Sequence, residues 1–232
     1  METHAGTREN AAHLSAGFVE GLERLYGGTK RAAQEIEGKV VESEGALFTA
    51  EMMMRARGDA APEVFERVVV AVDPTATAGG NACGIVVAGR AEGVVWVLAD
   101  LSVSGVRPDG WGRRVARAAE GLKDAVVVAE INQGGDMVQA VLKASGCAAR
   151  VREVRATKGK RVRAEPVAAL YEQGRVRHAG VFDALEEELM ALGCVDADGE
   201  AGTDRADALV WAITDLLVDG RSGERGPRVT QL

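Results

Sequence analysis

Aromatic residues and cysteines are scarce in this chain of 232 residues, and both shortages restrict the class of protein. Phe, Trp and Tyr make up 4% of the sequence, while Ala, Val and Gly are abundant. Cys83, Cys147 and Cys194 lie far apart and form no C-x-x-C pair, which argues against a disulfide framework and a structural zinc site. Because hydrophobic residues still make up 47% of the chain, we expect a reduced globular protein with a substantial core.

Long hydrophobic runs are also missing. No apolar stretch approaches the roughly 20 residues of a membrane span, and the N-terminal segment is too polar for a signal peptide. We therefore expect a cytoplasmic protein without a membrane partner. The net charge of −7 argues mildly against indiscriminate binding to polyanions, although a net value does not exclude a local basic patch.

Hydrophobic patterning divides the chain near residue 66. Residues 1–66 carry three short helical patterns, the last with Thr49 as its N-cap, and predict a helical arm or linker. Residues 67–220 begin with three successive strands and continue with alternating strands and helices, which predicts an α/β fold with a mixed central sheet flanked by helices. Residues 221–232 are polar and predict a C-terminal tail.

The second half of the chain has several locally predictable features. Residues 150–155 are expected to form a strand, and residues 165–172 a helix with Pro166 in its first turn. The segment DALEEELMALG predicts an amphipathic helix with a solvated acidic face. We expect His178 in a surface turn rather than as a general base or metal ligand, and the three tryptophans in the core or an interface.

Acidic residues occur at the ends of the predicted elements. Asp73 ends the first strand, Glu130 ends the fourth, and Asp207 lies in the first turn of the last helix with Asp204 one turn ahead. Each has an ordinary structural interpretation: a turn opener for Asp73, a strand-to-helix turn for Glu130, a helix cap for Asp204, and compensation of the helix dipole for Asp207. If the first and fourth strands are neighbours, however, Asp73, Glu130 and Asp207 can converge.

Converging carboxylates repel one another and favour a hard divalent cation as counter-ion. Mg²⁺ binds through a few carboxylates together with water and phosphate oxygens. Two such ions, about 3.5–4 Å apart, activate a water and stabilise the leaving oxygen in phosphodiester hydrolysis.

The segment RVREVRATKGKRVR, residues 150–163, is strongly basic within an acidic chain. It can be a solvated surface, but a basic strip near acidic metal ligands would hold DNA phosphates. We expect DNA contacts from Lys158, Lys160, Arg161 and Arg163, with the first three in a flexible loop. Because no base-reading motif is present, we expect little sequence preference.

Three segments, in their order and spacing, resemble the nuclease domain of the large terminase subunit of tailed phages, prophages and gene transfer agents. They are VVVAVDPTATAGGNACGIVVAG, VVVAEINQGGDMV and DRADALVWAITDLL. The segment LERLYGGTKRAAQEIEGKVVESEGALFT also resembles the junction between a terminase ATPase domain and its nuclease domain.

This resemblance implies a ribonuclease-H-like fold and a metal-dependent endonuclease. Asp73, Glu130 and Asp207 match the family's metal-binding acidic residues, and Asp204 is a candidate helper. The implied reaction is two-metal hydrolysis of concatemeric or genomic double-stranded DNA with Mg²⁺ or Mn²⁺, in the cytoplasm of a bacterial host or donor cell. The implied partners are the terminase ATPase domain, the small terminase subunit and the portal.

One departure from the family pattern limits the expected activity. Large terminase subunits carry a Walker A loop, G-x-x-x-x-G-K-[ST], which does not occur in this sequence. We therefore expect no ATP hydrolysis and no cofactor-binding residues other than metal ligands. Two alternatives stay open at this point: a phosphotransferase of the actin or sugar-kinase type, and a non-catalytic DNA-binding module or scaffold of a packaging motor.

Overall fold

A computed structural model describes residues 46–58, 60–74, 82–122, 124–132, 135–192 and 202–218. These residues form six strands, six α-helices and one π-helical turn. The strands are β1 Arg67–Asp73, β2 Gly84–Ala91, β3 Val94–Asp100, β4 Val126–Glu130, β5 Arg150–Val154 and β6 Val176–His178. The helices are α1 Ala50–Ala56, α2 Pro108–Ala119, α3 Gly135–Ala144, α4 Lys160–Glu172, α5 Asp183–Ala191 and α6 Asp204–Ile213, which continues into the π-helical turn Thr214–Val218.

The six strands form one mixed sheet in the order β5-β4-β1-β2-β3-β6. β1, β2 and β3 are antiparallel neighbours, whereas β4 runs parallel to β1, β5 parallel to β4, and β6 parallel to β3. The β2–β3 hairpin turns through Glu92 and Gly93, whose positive φ angles of 51° and 76° are typical of the two-residue type I′ turn. The predicted mixed sheet flanked by helices is confirmed.

Both faces of the sheet are covered by helices, which explains why the central strands are apolar throughout rather than alternating. Successive side chains of a strand point to opposite faces. Val69 and Ala71 belong to a core cluster shared with α1, α4, α5 and α6, whereas Val70 and Val72 belong to a second cluster shared with α2 and α3.

The N-terminal helix α1 begins as predicted. The Thr49 hydroxyl accepts a hydrogen bond from the Met52 amide at 3.2 Å, and Met53 is fully buried in the core of the sheet domain. The two earlier helical patterns of residues 1–66 lie outside the described residues. The boundaries at residues 66 and 220 stay predictions. No helix in the described ranges is both long and apolar enough to cross a membrane.

Three local predictions were wrong. Helix α4 begins at Lys160 rather than near residue 165, so Lys160 and Arg161 lie on a helix and only Lys158 precedes it. Pro166 is therefore inside the helix rather than in its first turn, and it cannot donate to the carbonyl of Val162. Val162, whose carbonyl loses this helical partner, is exposed.

The third error concerns His178, which is fully buried rather than in a surface turn. The backbone of Arg57 and Gly58 covers β6, and the Gly58 amide donates to the His178 carbonyl at 2.9 Å. The imidazole bonds the Tyr171 hydroxyl through Nε2 at 2.7 Å and the Glu186 carboxylate through Nδ1 at 2.9 Å. Helix α5 is correspondingly less solvated than its composition suggests, because Glu186 is fully buried.

A candidate acidic active site

Asp73 and Glu130 end neighbouring parallel strands. Val72 of β1 pairs with Ala129 of β4, so the next residues along the two strands are Asp73 and Glu130. Asp73 shares a face with Ala71, and Glu130 shares one with Val128, and both of these apolar residues belong to the cluster that contains α6. The sheet therefore directs both carboxylates towards the same edge and towards the face covered by α6.

Helix α6 supplies the other two acidic residues from its first turn. Asp204 and Asp207 are three residues apart and lie on one side of the helix. The helix approaches β2 very closely, because a Cβ atom built on Gly84 would lie 1.9 Å from the Asp204 carbonyl oxygen. Gly84 pairs with Asp73 across the β1–β2 ladder, so this close approach brings α6 to the Asp73 end of the sheet.

The electrostatics of the four groups show that they converge. Burial raises the pKa of Asp73 well above its ordinary value, and the charges of Glu130, Asp207 and Asp204 raise it further. Burial also raises the pKa of Asp204 to about 6, with Glu188 as the next cause. Both groups are thus destabilised as carboxylates, which is the expected result of placing like charges together away from water.

Two basic side chains of α4 lie inside this cluster. Lys160 Nζ is 2.7 Å from Asp207 Oδ2, and Arg163 Nη2 is 2.9 Å from Asp207 Oδ1. Arg163 Nη1 also lies 3.4 Å from Glu130 Oε2. Two members of the predicted DNA-binding strip therefore contact the acidic residues instead of standing apart from them.

Two neutral side chains, one just before α6 and one on it, complete the arrangement. The Thr203 hydroxyl donates to Asp207 Oδ2 at 2.9 Å, and Lys160 donates to that hydroxyl at 2.6 Å. The Trp211 indole donates to Glu130 Oε2 at 2.5 Å. Thr203 and Trp211 were not identified from the sequence, although both lie four residues from Asp207 and so on its side of the helix.

The donor chemistry of the cluster fits a hard divalent cation. All four acidic side chains offer oxygen, and Asp204 Oδ2 is buried without a hydrogen-bond partner among the described residues. Within those same ranges, however, no three His, Cys, Asp or Glu side chains are placed to hold one ion together. Asp207 and Glu130 are instead engaged by Lys160 and Arg163.

Three other basic residues of the strip lie close to the cluster but face outward. The Asn132 side chain, just beyond Glu130, donates to the Ala156 carbonyl at 3.2 Å and accepts from the Ala156 amide at 2.8 Å. Arg155 and Lys158, on either side of this anchor, are exposed, and Arg161 is partly exposed. Arg152 instead reaches the buried Asp215 carboxylate. The strip therefore divides into inward-facing and outward-facing residues.

Comparison with known proteins agrees with this architecture. The family profile described as "Terminase RNaseH-like domain" matches residues 70–216. A search of curated proteins gave no significant match.

Among solved structures, the large terminase nuclease from thermophilic phage G20c with bound magnesium superposes with a TM-score of 0.57 at 17% identity, covering 73% of this chain and 97% of that one. The P22 large terminase nuclease domain gives 0.54 at 15% identity, covering 68% and 86%. The HK97 bacteriophage large terminase gives 0.57 at 11% identity, covering 87% of this chain and 51% of that one. At these identities the superpositions show the fold. The profile match covers more than half of the chain, so the chain belongs to the terminase RNaseH-like domain family, which supports a nuclease role in DNA packaging.

Proposed function

We propose that this chain is a metal-dependent endonuclease that cuts double-stranded DNA during genome packaging. The main support for this proposal is the convergence of four acidic residues at one edge of the sheet, namely Asp73, Glu130, Asp204 and Asp207. The other three carboxylates contribute to the raised pKa of Asp73. A cluster of buried carboxylates costs stability unless a cation neutralises it. Such clusters are therefore retained where their charge has a function.

Asp73, Glu130 and Asp207 would hold one or two Mg²⁺ or Mn²⁺ ions, with Asp204 as an additional ligand. Divalent ions bound in this way supply activation of a water molecule and stabilisation of the leaving oxygen. The G20c nuclease structures with bound magnesium, cobalt and zinc support this choice of group by analogy. For the ion to reach Asp207 Oδ2, the Lys160 ammonium must move, and its half-exposed side chain leaves it free to do so.

The outward-facing basic residues Arg155, Lys158 and Arg161 would hold the DNA backbone beside the carboxylates. They lie on the loop and helix that follow β5, and Asn132 fixes that loop next to Glu130. Lys160, once displaced from Asp207, would add a further phosphate contact. We also infer that the partners are those of a packaging motor, namely an ATPase domain, a small terminase subunit and a portal.

The test is a plasmid-cutting assay with purified chain. Wild type should nick or linearise supercoiled plasmid in Mg²⁺ or Mn²⁺ and not in EDTA, and Asp73→Ala should abolish cutting while its circular dichroism spectrum is unchanged. Cutting by Asp73→Ala, or in excess EDTA, contradicts the proposal. Metal-independent DNA binding without cutting would favour a non-catalytic module, and micromolar ATP binding would favour a phosphotransferase.

A further inference from the structure

Arg163 is a nearly buried cation within the acidic cluster. Its side chain is 11% exposed, and its guanidinium stacks over the Trp211 ring at 4.9 Å from the ring centroid. Trp211 is itself 9% exposed and belongs to the core cluster that packs against the sheet. A guanidinium this close to an indole face is held by cation–π attraction as well as by its ion pairs.

Arg163 contacts one oxygen of each of two carboxylates. Its fork reaches Glu130 Oε2 and Asp207 Oδ1, which belong to different elements, β4 and α6. Glu130 Oε2 also accepts the Trp211 indole proton. Among the described residues, Glu130 Oε1 receives no hydrogen bond, and Asp207 Oδ2 is held by the Thr203 hydroxyl and the Lys160 ammonium.

The two cations differ in how firmly they are placed. The Lys160 side chain is 51% exposed, so solvent can take over its charge when it leaves Asp207 and the Thr203 hydroxyl. Arg163 is enclosed, stacked and attached at two points, and moving it would uncover Trp211 and leave Glu130 Oε2 with one partner fewer. Arg163 is therefore the fixed cation of the pair and Lys160 the exchangeable one.

We propose that Arg163, held against Trp211, is a positioning residue of the acidic cluster rather than a DNA contact. It fixes one oxygen of Glu130 and one of Asp207, and so leaves Glu130 Oε1 and Asp207 Oδ2 for the divalent cation. This inference rests on the proposed metal site and assigns a role to a residue that the sequence grouped with the DNA-binding strip. It corresponds to the outer hydrogen-bond partners that orient the ligands of known metal sites.

Positioning and simple charge have opposite consequences for metal affinity. If Arg163 acted only as a positive charge, its removal would strengthen the attraction of the carboxylates for Mg²⁺. The variant Arg163→Lys, which keeps that charge, would then bind Mg²⁺ as wild type does. If it positions the two carboxylates, its removal weakens Mg²⁺ binding despite the lost repulsion. Lysine would not restore binding, because a single ammonium cannot reproduce the two-armed guanidinium contact.

The experiment measures Mg²⁺ binding to the metal-free full chain by calorimetry, without DNA, for wild type, Arg163→Gln and Arg163→Lys. Both variants should bind Mg²⁺ at least about tenfold more weakly, the lower end of the usual effect of losing an outer partner. Arg113→Gln is the matched control, because it removes an exposed charge of α2 whose ion pair is with Asp109. Its Mg²⁺ affinity should equal that of wild type.

A second pair of measurements separates positioning from the other roles of an arginine. DNA affinity in EDTA, followed by fluorescence anisotropy, should be unchanged in Arg163→Lys. Trp211→Phe keeps an aromatic ring under Arg163 but loses the indole donor to Glu130, so it should also weaken Mg²⁺ binding. If the Arg163 variants fail to fold in a thermal melt, this variant tests whether fixing Glu130 Oε2, the oxygen that Arg163 and Trp211 share, is needed for Mg²⁺ binding.

Each outcome decides the question. Unchanged or tighter Mg²⁺ binding in Arg163→Gln, or wild-type binding in Arg163→Lys, overturns the positioning role. Weaker DNA binding with unchanged Mg²⁺ affinity also overturns it and returns Arg163 to the DNA-binding strip. Failure of the wild-type chain to bind Mg²⁺ or Mn²⁺ at all is a different result, because it refutes the proposed function.

Discussion

Replacing Gly84 by alanine should displace the helix that carries two of the four carboxylates. The added Cβ would lie 1.9 Å from the Asp204 carbonyl oxygen, 2.4 Å from its carbonyl carbon and 3.0 Å from the Arg205 nitrogen. These are backbone atoms, so no side-chain rotation can relieve the overlap. Either β2 or the N-terminus of α6 must move by about 1.5 Å to restore ordinary contact distances.

The expected size of the effect follows from two rules. Overpacking of a well-packed contact costs about 1–3 kcal/mol, and each kcal/mol lowers the melting temperature by roughly 2–4 °C in a domain of this size. For activity, misplacing a reacting group by about 1 Å can cost on the order of 100-fold. Gly84→Ala should therefore melt several degrees lower and lose most plasmid cutting, although the substitution changes no charge.

The assays are differential scanning fluorimetry in EDTA and plasmid cutting in Mg²⁺. Gly180→Ala is the matched control, because a Cβ there would meet only the Phe182 ring, at an ordinary 3.8 Å. Wild-type melting and wild-type cutting by Gly84→Ala would refute the view that this glycine sets the position of α6. A lower melting temperature with full cutting would show that the close contact supports stability but not the site.

Three further outcomes are expected. Asp73→Asn should be at least as stable as wild type in EDTA at pH 8, because burial and three neighbouring carboxylates raise the pKa of Asp73 and penalise its charge; a lower melting temperature would contradict this. Replacing Lys158 and Arg161 together by alanine should flatten the slope of log K for DNA binding against log salt by about 0.9 per lost phosphate contact, equally for two unrelated duplexes. An unchanged slope in anisotropy titrations would show that these two residues are only a solvated surface. Burial opposes the charge of Glu186, but hydrogen bonds from His178 and an arginine outweigh it and lower its pKa below the ordinary 4.5. The Glu186 carboxylate therefore stabilises the fold above pH 4.5, and this stabilisation is lost as the pH falls through the folded-state pKa. At pH 7, Glu186→Gln should lower the free energy of unfolding by about 3–5 kcal/mol. In urea unfolding experiments, the difference between the variant and wild type should narrow below pH 4.

The strand-end carboxylates could be predicted because their placement depends on short-range rules. The run ending in Asp73 is wholly apolar, as expected for a strand covered on both faces, and the same holds for the run ending in Glu130. Parallel neighbours place both ends at one edge, and the alternation of side chains decides the face. Sequence alone could raise this arrangement as a hypothesis, but the pairing of β1 with β4 had to come from the structure.

The basic strip could not be resolved in the same way. From sequence, Lys158, Lys160, Arg161 and Arg163 are four similar charges in one stretch. The start of α4 at Lys160 sets their directions, since residues 160 and 163 lie three apart and share the helix side that faces the acidic cluster. An internal Pro166 concealed that start, because proline is expected near the beginning of a helix rather than seven residues into it. The helix start predicted from the sequence was therefore late by more than one turn, which hid the side of the helix that residues 160 and 163 share.

Two acidic residues outside the cluster hold α6 in place. Glu188 of α5 accepts the backbone amides of Arg205 and Ala206 at 2.7 and 3.2 Å, so it caps the helix that Thr203 does not cap. Its other oxygen binds Arg205, which also reaches Asp100 at the end of β3. Residue type alone cannot separate these supporting carboxylates from the ones proposed to hold metal.

What separates the two kinds of carboxylate is their partners. Glu188 and Asp100 are bound to an arginine of the helix that they support, so their charges are used within the fold. Burial raises the pKa of Asp73 and Asp204, neighbouring carboxylates raise it further, and Lys160 offsets this only in part. Burial raises the pKa of Glu188 as well, so the distinction lies in the partners: Asp204 Oδ2 is buried without a hydrogen-bond partner among the described residues. In the proposed function, a divalent cation would balance the charge that these partners leave on Asp73 and Asp204.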